Sequence, residues 1–358
     1  MEKKGSKKYA VLRIAAAAIV LTAVFAAAQR LLTPKYYDGV VEGAFVSEYY
    51  REEKDHDVIF VGDCEVYENF SPAVLWREFG INSYIRGSAE QYIWQSYYLL
   101  EDTFRYETPD VVVFNVQSLQ FGESQNEAYN RMSIEGMRWS SSKIGAIRAS
   151  MLDGESFASY VFPILRYHDR WSDLKSTDFT FFFGSREPVT HNGYYMRADV
   201  RPAKDVPDGK PLANYSFSDK SWDYLDRIRL ICEKKGAELV LIKAPSLWPY
   251  WYDEWDGQVS EYSSEHGLEY INFLSIQDET GIDYDTDTYD GGLHMNLSGA
   301  EKLARFMGKY LTEKHGLADR RGEERLSGIW EEKLSRYDAE AARQRNELKD
   351  LEPTEEEK

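Results

Sequence analysis

Cysteine is nearly missing from this chain: Cys64 and Cys232 are its only two among 358 residues. One bridge at most can form, so a disulfide framework does not hold the fold together. Cys232 falls inside an amphipathic pattern from Trp222 to Lys235, where a thiol reads as a small buried residue. Histidine is scarce as well, with six residues, and His56, His168, His191, His266 and His315 show no zinc-ligand spacing. The run Asp283-x-Asp285-x-Asp287 with Asp290-Gly291 has the look of a calcium loop. It lacks the glycine at the sixth position, and His294 stands where a bidentate glutamate belongs, so it reads as a solvated acidic loop. No metal and no cofactor is expected. Basic charge is also in deficit. With 43 Lys and Arg against 61 Asp and Glu, the net charge of −18 repels a polyanion and argues against a nucleic-acid partner. Long apolar runs are absent after the first thirty or so residues, which rules out a second membrane span, and no internal repeat is visible.

The one apolar run is at the N-terminus. Lys3, Lys4, Lys7, Lys8 and Arg13 precede an uncharged stretch from Ile14 to Ala28. Adding Tyr9 to Leu12, with Arg13 snorkelling, brings it near the roughly 20 residues a spanning helix needs. The basic flank predicts a cytoplasmic start and an extracytoplasmic remainder. Two readings stand: an uncleaved anchor, or a signal peptide cut near Ala26-Ala27-Ala28. Both put residues 36 onward outside the cytoplasm. The expected organisation is a basic flank and anchor over residues 1–35, one α/β domain over 36–316, and a charged helical tail over 317–358 whose last residues, 350–358, are disordered.

Within the domain, strands and helices alternate. Strands are expected at Val58–Val61 and Val111–Asn115, both apolar, and at Asn82–Arg86. Helices are expected at Pro72–Phe79, with Ser71 as N-cap, and at Gln91–Arg105. Continuous apolar strands with helical crossovers imply a parallel sheet covered on both faces. The alternation then breaks over residues 118–216, which read as a large insertion on the strand-end side, a lid or substrate platform. It resumes with a helix at Asp219–Lys235 stopped by Gly236, a strand at Glu238–Ile242, a helix at Tyr252–His266, a strand at Tyr270–Phe273 and a helix at Ser298–Lys314. In the tail, Leu326, Ile329, Trp330, Leu334 and Tyr337 form a stripe that docks on the body or on a partner.

Ligands of parallel α/β sheets sit beyond the carboxyl ends of the strands. Cys64, Gly87, Asn115 and Ser246 all follow predicted strands, and His294 precedes the last helix of the domain. Gly62-Asp63-Cys64, Gly87, and Asp290 with His294, Asn296 and Gly299-Ala300 together resemble the blocks of the SGNH/GDSL hydrolase family. The likeness is to its extracytoplasmic branch, which works with membrane-bound O-acyltransferases in acylating cell-surface polymers. It covers roughly residues 55–115 and 218–314. The resemblance implies a flavodoxin-like three-layer sandwich. It also implies Cys64 as nucleophile, His294 as general base, Asp290 as orienter and Gly87 and Asn115 as oxyanion donors. Its implied substrate is an acyl ester on a cell-envelope or secreted polysaccharide, and its implied partner a membrane O-acyltransferase.

Three departures bear on that expectation. The nucleophile is cysteine where the family has serine. The third block reads Phe114-Asn115-Val116-Gln117 where the family has Gly-x-Asn-Asp. Asp290 and His294 stand as Asp-x-x-x-His rather than Asp-x-x-His, with Asp287 as a fallback orienter. A thiol beside a histidine still supports covalent catalysis, because the thiolate is the attacking species. The rival is a chain that keeps the fold without the chemistry and binds a glycan or a membrane acyltransferase as a scaffold. Individual residues carry rival readings too. Asp290 is an orienter or a turn former, and Gly87 an oxyanion donor or a tight-turn residue. Trp248 and Trp251 stack on sugar rings or pack between the loop and the insertion.

Overall fold

A computed structural model of the chain describes residues 3–34, 42–183 and 188–351. These divide into two compact units: Met1–Val41 with Asp153–Glu187, and Glu42–Leu152 with Pro188–Lys358.

The larger unit is built on a five-stranded sheet, all parallel: β1 (Val58–Gly62), β2 (Ser83–Gly87), β3 (Val111–Asn115), β4 (Glu238–Lys243) and β5 (Glu269–Asn272). The order is β2-β1-β3-β4-β5, the doubly wound flavodoxin-like arrangement. β1, β2 and β3 are buried along their whole length; β1 and β3 accordingly read as near-continuous apolar runs, while β2 carries Ser83 and Arg86. One face packs on helices Ile93–Thr103 and Asp219–Lys235 through Ile59, Val61, Tyr84, Trp94, Val112, Phe114, Leu225, Ile228 and Leu241. The other face carries an aromatic chain: Phe60 stacks on Phe70 at 5.2 Å, Phe70 meets Phe273 at 5.8 Å, and Phe273 meets Phe306 of helix Leu297–His315 at 5.5 Å. Two helical layers around a parallel sheet make the expected three-layer α/β fold.

Local endings follow the sequence closely. Gly236 caps its helix with φ +78°, and Ser218 caps the same helix by accepting from Ser221 N. Pro72–Phe79 departs from a plain helix. It is one α-turn, Pro72–Val74, followed by a π-helical turn, Leu75–Phe79. Ser71 precedes it without a side-chain cap bond and donates instead to Tyr337 Oη at 3.1 Å.

The tail helix, Glu324–Leu351, docks on the body. Its stripe is buried at Leu326, Trp330 and Tyr337, and Ala341 extends it. Trp330 lies flat on Trp76 at 5.4 Å and donates its Nε1–H to Asn82 Oδ1 at 3.0 Å. Tyr337 also donates to Glu301 at 3.1 Å. Of the residues expected to be disordered, 350–358, Asp350 and Leu351 continue the helix, and 352–358 lie outside the described residues. Helices Glu127–Glu135 and Ser141–Ser150 belong to this unit, as do residues 188–216.

The smaller unit contains helix Lys3–Leu32, longer at both ends than the apolar run suggested because Gln29 and Arg30 continue the helix. Lys8–Leu32 is the one described helix long and apolar enough to cross a membrane. Short helices Ile164–Tyr167 and Ser176–Phe183 pack against it, and Phe157–Val161 packs on Ile164–Tyr167.

Candidate active site

The sheet's carboxyl edge brings the predicted residues together. β1 ends at Gly62, and the chain turns at once into the short helix Cys64–Tyr67, with Asp63 as N-cap accepting from Glu65 N at 3.2 Å. Gly62 and Gly87 are direct neighbours in the β1/β2 register. A Cβ on Gly62 would collide with Val66, and one on Gly87 would press on Gly62 O at 3.1 Å and on Tyr67 at 3.2 Å. Both glycines therefore let the Cys64 turn lie close to the sheet.

His294 sits in the loop before helix Leu297–His315. Asp290 reaches it twice: Oδ1 accepts from the backbone N–H at 2.9 Å, and Oδ2 meets Nδ1 at 2.6 Å. The extra residue in the Asp-to-His spacing is absorbed by Gly291 and Gly292, whose φ values are +87° and +101°. Asp287, the fallback, points elsewhere, accepting from Asp283 N at 2.8 Å and pairing with Lys302 at 2.5 Å. The far nitrogen of His294, Nε2, is buried and has no hydrogen-bond partner among the described residues. Its electrostatic neighbour is the Cys64 thiol, and each shifts the other's protonation.

Burial pushes the Cys64 thiol up to about 12. His294 opposes the rise, while Asp63 and Glu68 reinforce it. Burial by itself would lower His294, but an ionised Cys64, Glu68 and the Asp290 hydrogen bond outweigh it, so the imidazole rises well above its ordinary value once the thiol has given up its proton. Asp290 is held below the usual carboxylate range: burial works against this, and His294 prevails. Asp63 is pushed up to about 7 by burial and by Glu65, against Lys243 and Asn115.

Five further residues complete the surroundings. Glu68, one helical turn after Cys64, accepts from Tyr289 Oη and lies 4.0 Å from His294 Nδ1. The Tyr289 ring stacks on the imidazole at 5.9 Å, with its hydroxyl 3.4 Å from Nδ1. Arg197 lies over the Tyr289 ring at 4.4 Å. Below Cys64, Glu65 is buried and pairs with Lys243 at 2.9 Å, and Lys243 is fully buried and also donates to Ala244 O at 2.7 Å. The i, i+4 spacing of Cys64 and Glu68 was available in the sequence. No local pattern joins Glu65 to Lys243, which are 178 positions apart.

Two expectations need correcting. Asn115 is at the site, but its amide group is committed: Nδ2 donates to Asp63 at 3.1 Å and Glu65 at 3.2 Å, and Oδ1 accepts from Ala244 N at 3.1 Å. It ties the floor of the site together and presents no donor to an oxyanion. Trp251 is buried among Phe217 at 6.1 Å and Trp255 at 5.4 Å, so its faces are covered by protein and not offered to a sugar. Trp248 stays half-buried in the loop after β4. Arg86 lies on the face of the sheet opposite the aromatic chain, 3.9 Å over the Tyr49 ring and 3.5 Å from Asp102.

No family model matches the chain, and no curated protein does. Among solved structures it is similar to an acetyl xylan esterase, Est2A, from the rumen bacterium Butyrivibrio proteoclasticus, with a TM-score of 0.33 and 9% sequence identity. The overlap covers 74% of this chain and 66% of that one, so the chain spans just under two thirds of the esterase's length.

Proposed function

We propose that the larger unit handles acyl esters of an extracytoplasmic polysaccharide through Cys64, His294 and Asp290. The observation that supports this is the direction of His294: Nδ1 is fixed by Asp290 at 2.6 Å, and Nε2 is left without a partner beside the thiol. An imidazole held in this way is oriented to take a proton from the nucleophile. Sγ attacks the acyl carbonyl carbon while its proton passes to Nε2. The C–O bond to the donor alcohol breaks, and that oxygen leaves with the proton from Nε2. A sugar hydroxyl, or water, then attacks the thioester carbonyl, gives its proton to Nε2, and the thiol leaves reprotonated. In this reading the amides of Cys64 and Gly87 hold the oxyanion. A groove of about 460 Å³ lined by His191, Arg197, Asp199, Glu340 and Gln344 meets the site through Arg197, which lies over Tyr289, and in this reading it receives the hydroxyl-rich acceptor. The membrane O-acyltransferase partner belongs to the same reading and rests on the sequence resemblance alone.

A second reading has its own support. Burial and the acids around Cys64 disfavour the thiolate, as they would in a site that binds a glycan or an acyltransferase without turnover. The test is intact mass spectrometry of the full chain in detergent after exposure to an activated acetyl ester, comparing wild type with Cys64→Ala and His294→Ala. A single acetyl adduct that needs both residues is the expected result. A folded wild-type protein that acquires no adduct sinks the catalytic reading in favour of the scaffold.

A further inference from the structure

We propose that residues 157–183 form a membrane-interface collar, seating exposed aromatic and aliphatic side chains in the lipid leaflet around the outer end of the Lys8–Leu32 helix. The segment is unusual for its exposed apolar surface: Phe162 is 44% exposed, Leu165 57%, Trp171 72%, Phe179 45% and Phe183 77%. Large apolar residues clustered at this exposure mark an interaction surface.

The occupant is identified by what the segment is joined to. Phe162 packs on Phe25 at 6.0 Å, and Phe25 lies inside the apolar span. At 1.5 Å per residue, Phe25 is about 10 Å below the helix end at Leu32. That is the depth, roughly 5–10 Å into the headgroup and acyl boundary, at which interfacial helices bury their apolar faces. The span has 25 residues and is about 37 Å long, against a hydrocarbon core of about 30 Å, so its last turn reaches the headgroups.

The polar contacts gather at that last turn. Arg170 donates to the Leu32 carbonyl at 2.8 Å, satisfying a helix-end acceptor, and grips Asp178 with two bonds of 2.8 and 2.9 Å. Arg30 lies 5.6 Å over the Phe182 ring. Arginines at the helix end with Trp and Phe facing outward is the residue distribution of a bilayer interface. The junction also bears on the two N-terminal readings. Cleavage after Ala28 would remove the Phe25 ring from Phe162, whereas an uncleaved anchor keeps both halves of the contact in one membrane.

The test uses the full chain in phosphatidylcholine nanodiscs, with acyl chains either plain or brominated near the headgroup. The Trp171 component of the fluorescence is taken as wild type minus Trp171→Phe. The collar predicts that this component falls about twofold or more in brominated discs and resists iodide added to the water. Placing Phe183→Trp in the Trp171→Phe background restores a bromine-quenched component. Equal emission in both disc types with quenching by iodide overturns the proposal. So does protection from iodide without bromine quenching, which would mean that protein covers the surface. A chain that elutes apart from the discs overturns it together with the anchor.

Discussion

Alkylation of Cys64 tests the electrostatics of the site most directly. Burial moves the thiol from an ordinary value near 9.0 to about 12. At pH 8 that is about a thousandfold less thiolate than a free thiol carries, and the thiolate is the species that reacts. The assay is the rate of iodoacetamide addition to the folded full chain between about pH 6 and pH 10, with peptide mapping to separate Cys64 from Cys232, which burial also holds at about 12. Steric shielding slows alkylation at every pH, so the midpoint of the profile is the decisive quantity. The rate of the folded protein should still be rising at about pH 10, while the unfolded chain levels off near 9. His294→Ala removes the influence that opposes the rise, so its midpoint should move no lower. A midpoint near pH 7 that disappears in His294→Ala would reveal a resting thiolate–imidazolium pair. The picture of a protonated thiol that gives up its proton only during attack would then be wrong.

Two further predictions concern the floor of the site. Lys243→Met leaves the Glu65 carboxylate buried with Asn115 as its remaining side-chain partner, and should cost about 3–5 kcal/mol in thermal or denaturant unfolding. Adding Glu65→Leu should recover most of that loss, and a single variant no worse than the double would refute the pairing. Asp63 holds a proton in the folded state up to about pH 7 that the unfolded chain releases near 4, so its contribution makes stability fall as pH rises across that window. Asp63→Asn should flatten the fall, by roughly 3–4 kcal/mol at most, and unchanged slopes of stability against pH would contradict the assignment.

Strands β1 and β3 were legible because their burial on both sheet faces leaves near-continuous apolar runs, and Val111–Asn115 matches the expected bounds residue for residue. Helix ends marked by Ser218 and Gly236 were equally readable, since the caps are local chemistry. The resemblance brought Cys64, Asp290 and His294 into one candidate group, and the fold places them at one edge. What escaped the sequence is what depends on distant partners. Asn115 looked like a donor until Asp63, Glu65 and Ala244 were seen to use its amide group. Trp251 looked like a sugar platform because no sequence pattern reveals that Phe217 and Trp255 cover it. No sequence pattern links Glu65 to Lys243, and only the fold closes them into a buried pair.

The docked tail also sets a clock on biogenesis. Trp76 and Asn82 wait for Trp330, and Ser71 waits for Tyr337, partners made 248 to 266 residues later. At 5–20 residues per second, the ribosome needs roughly 10–50 s to supply them. Through that interval the segment just after the Cys64 turn exposes an indole face to its surroundings, so nascent chains of this protein should engage a holding factor at residues 71–82 until the tail arrives.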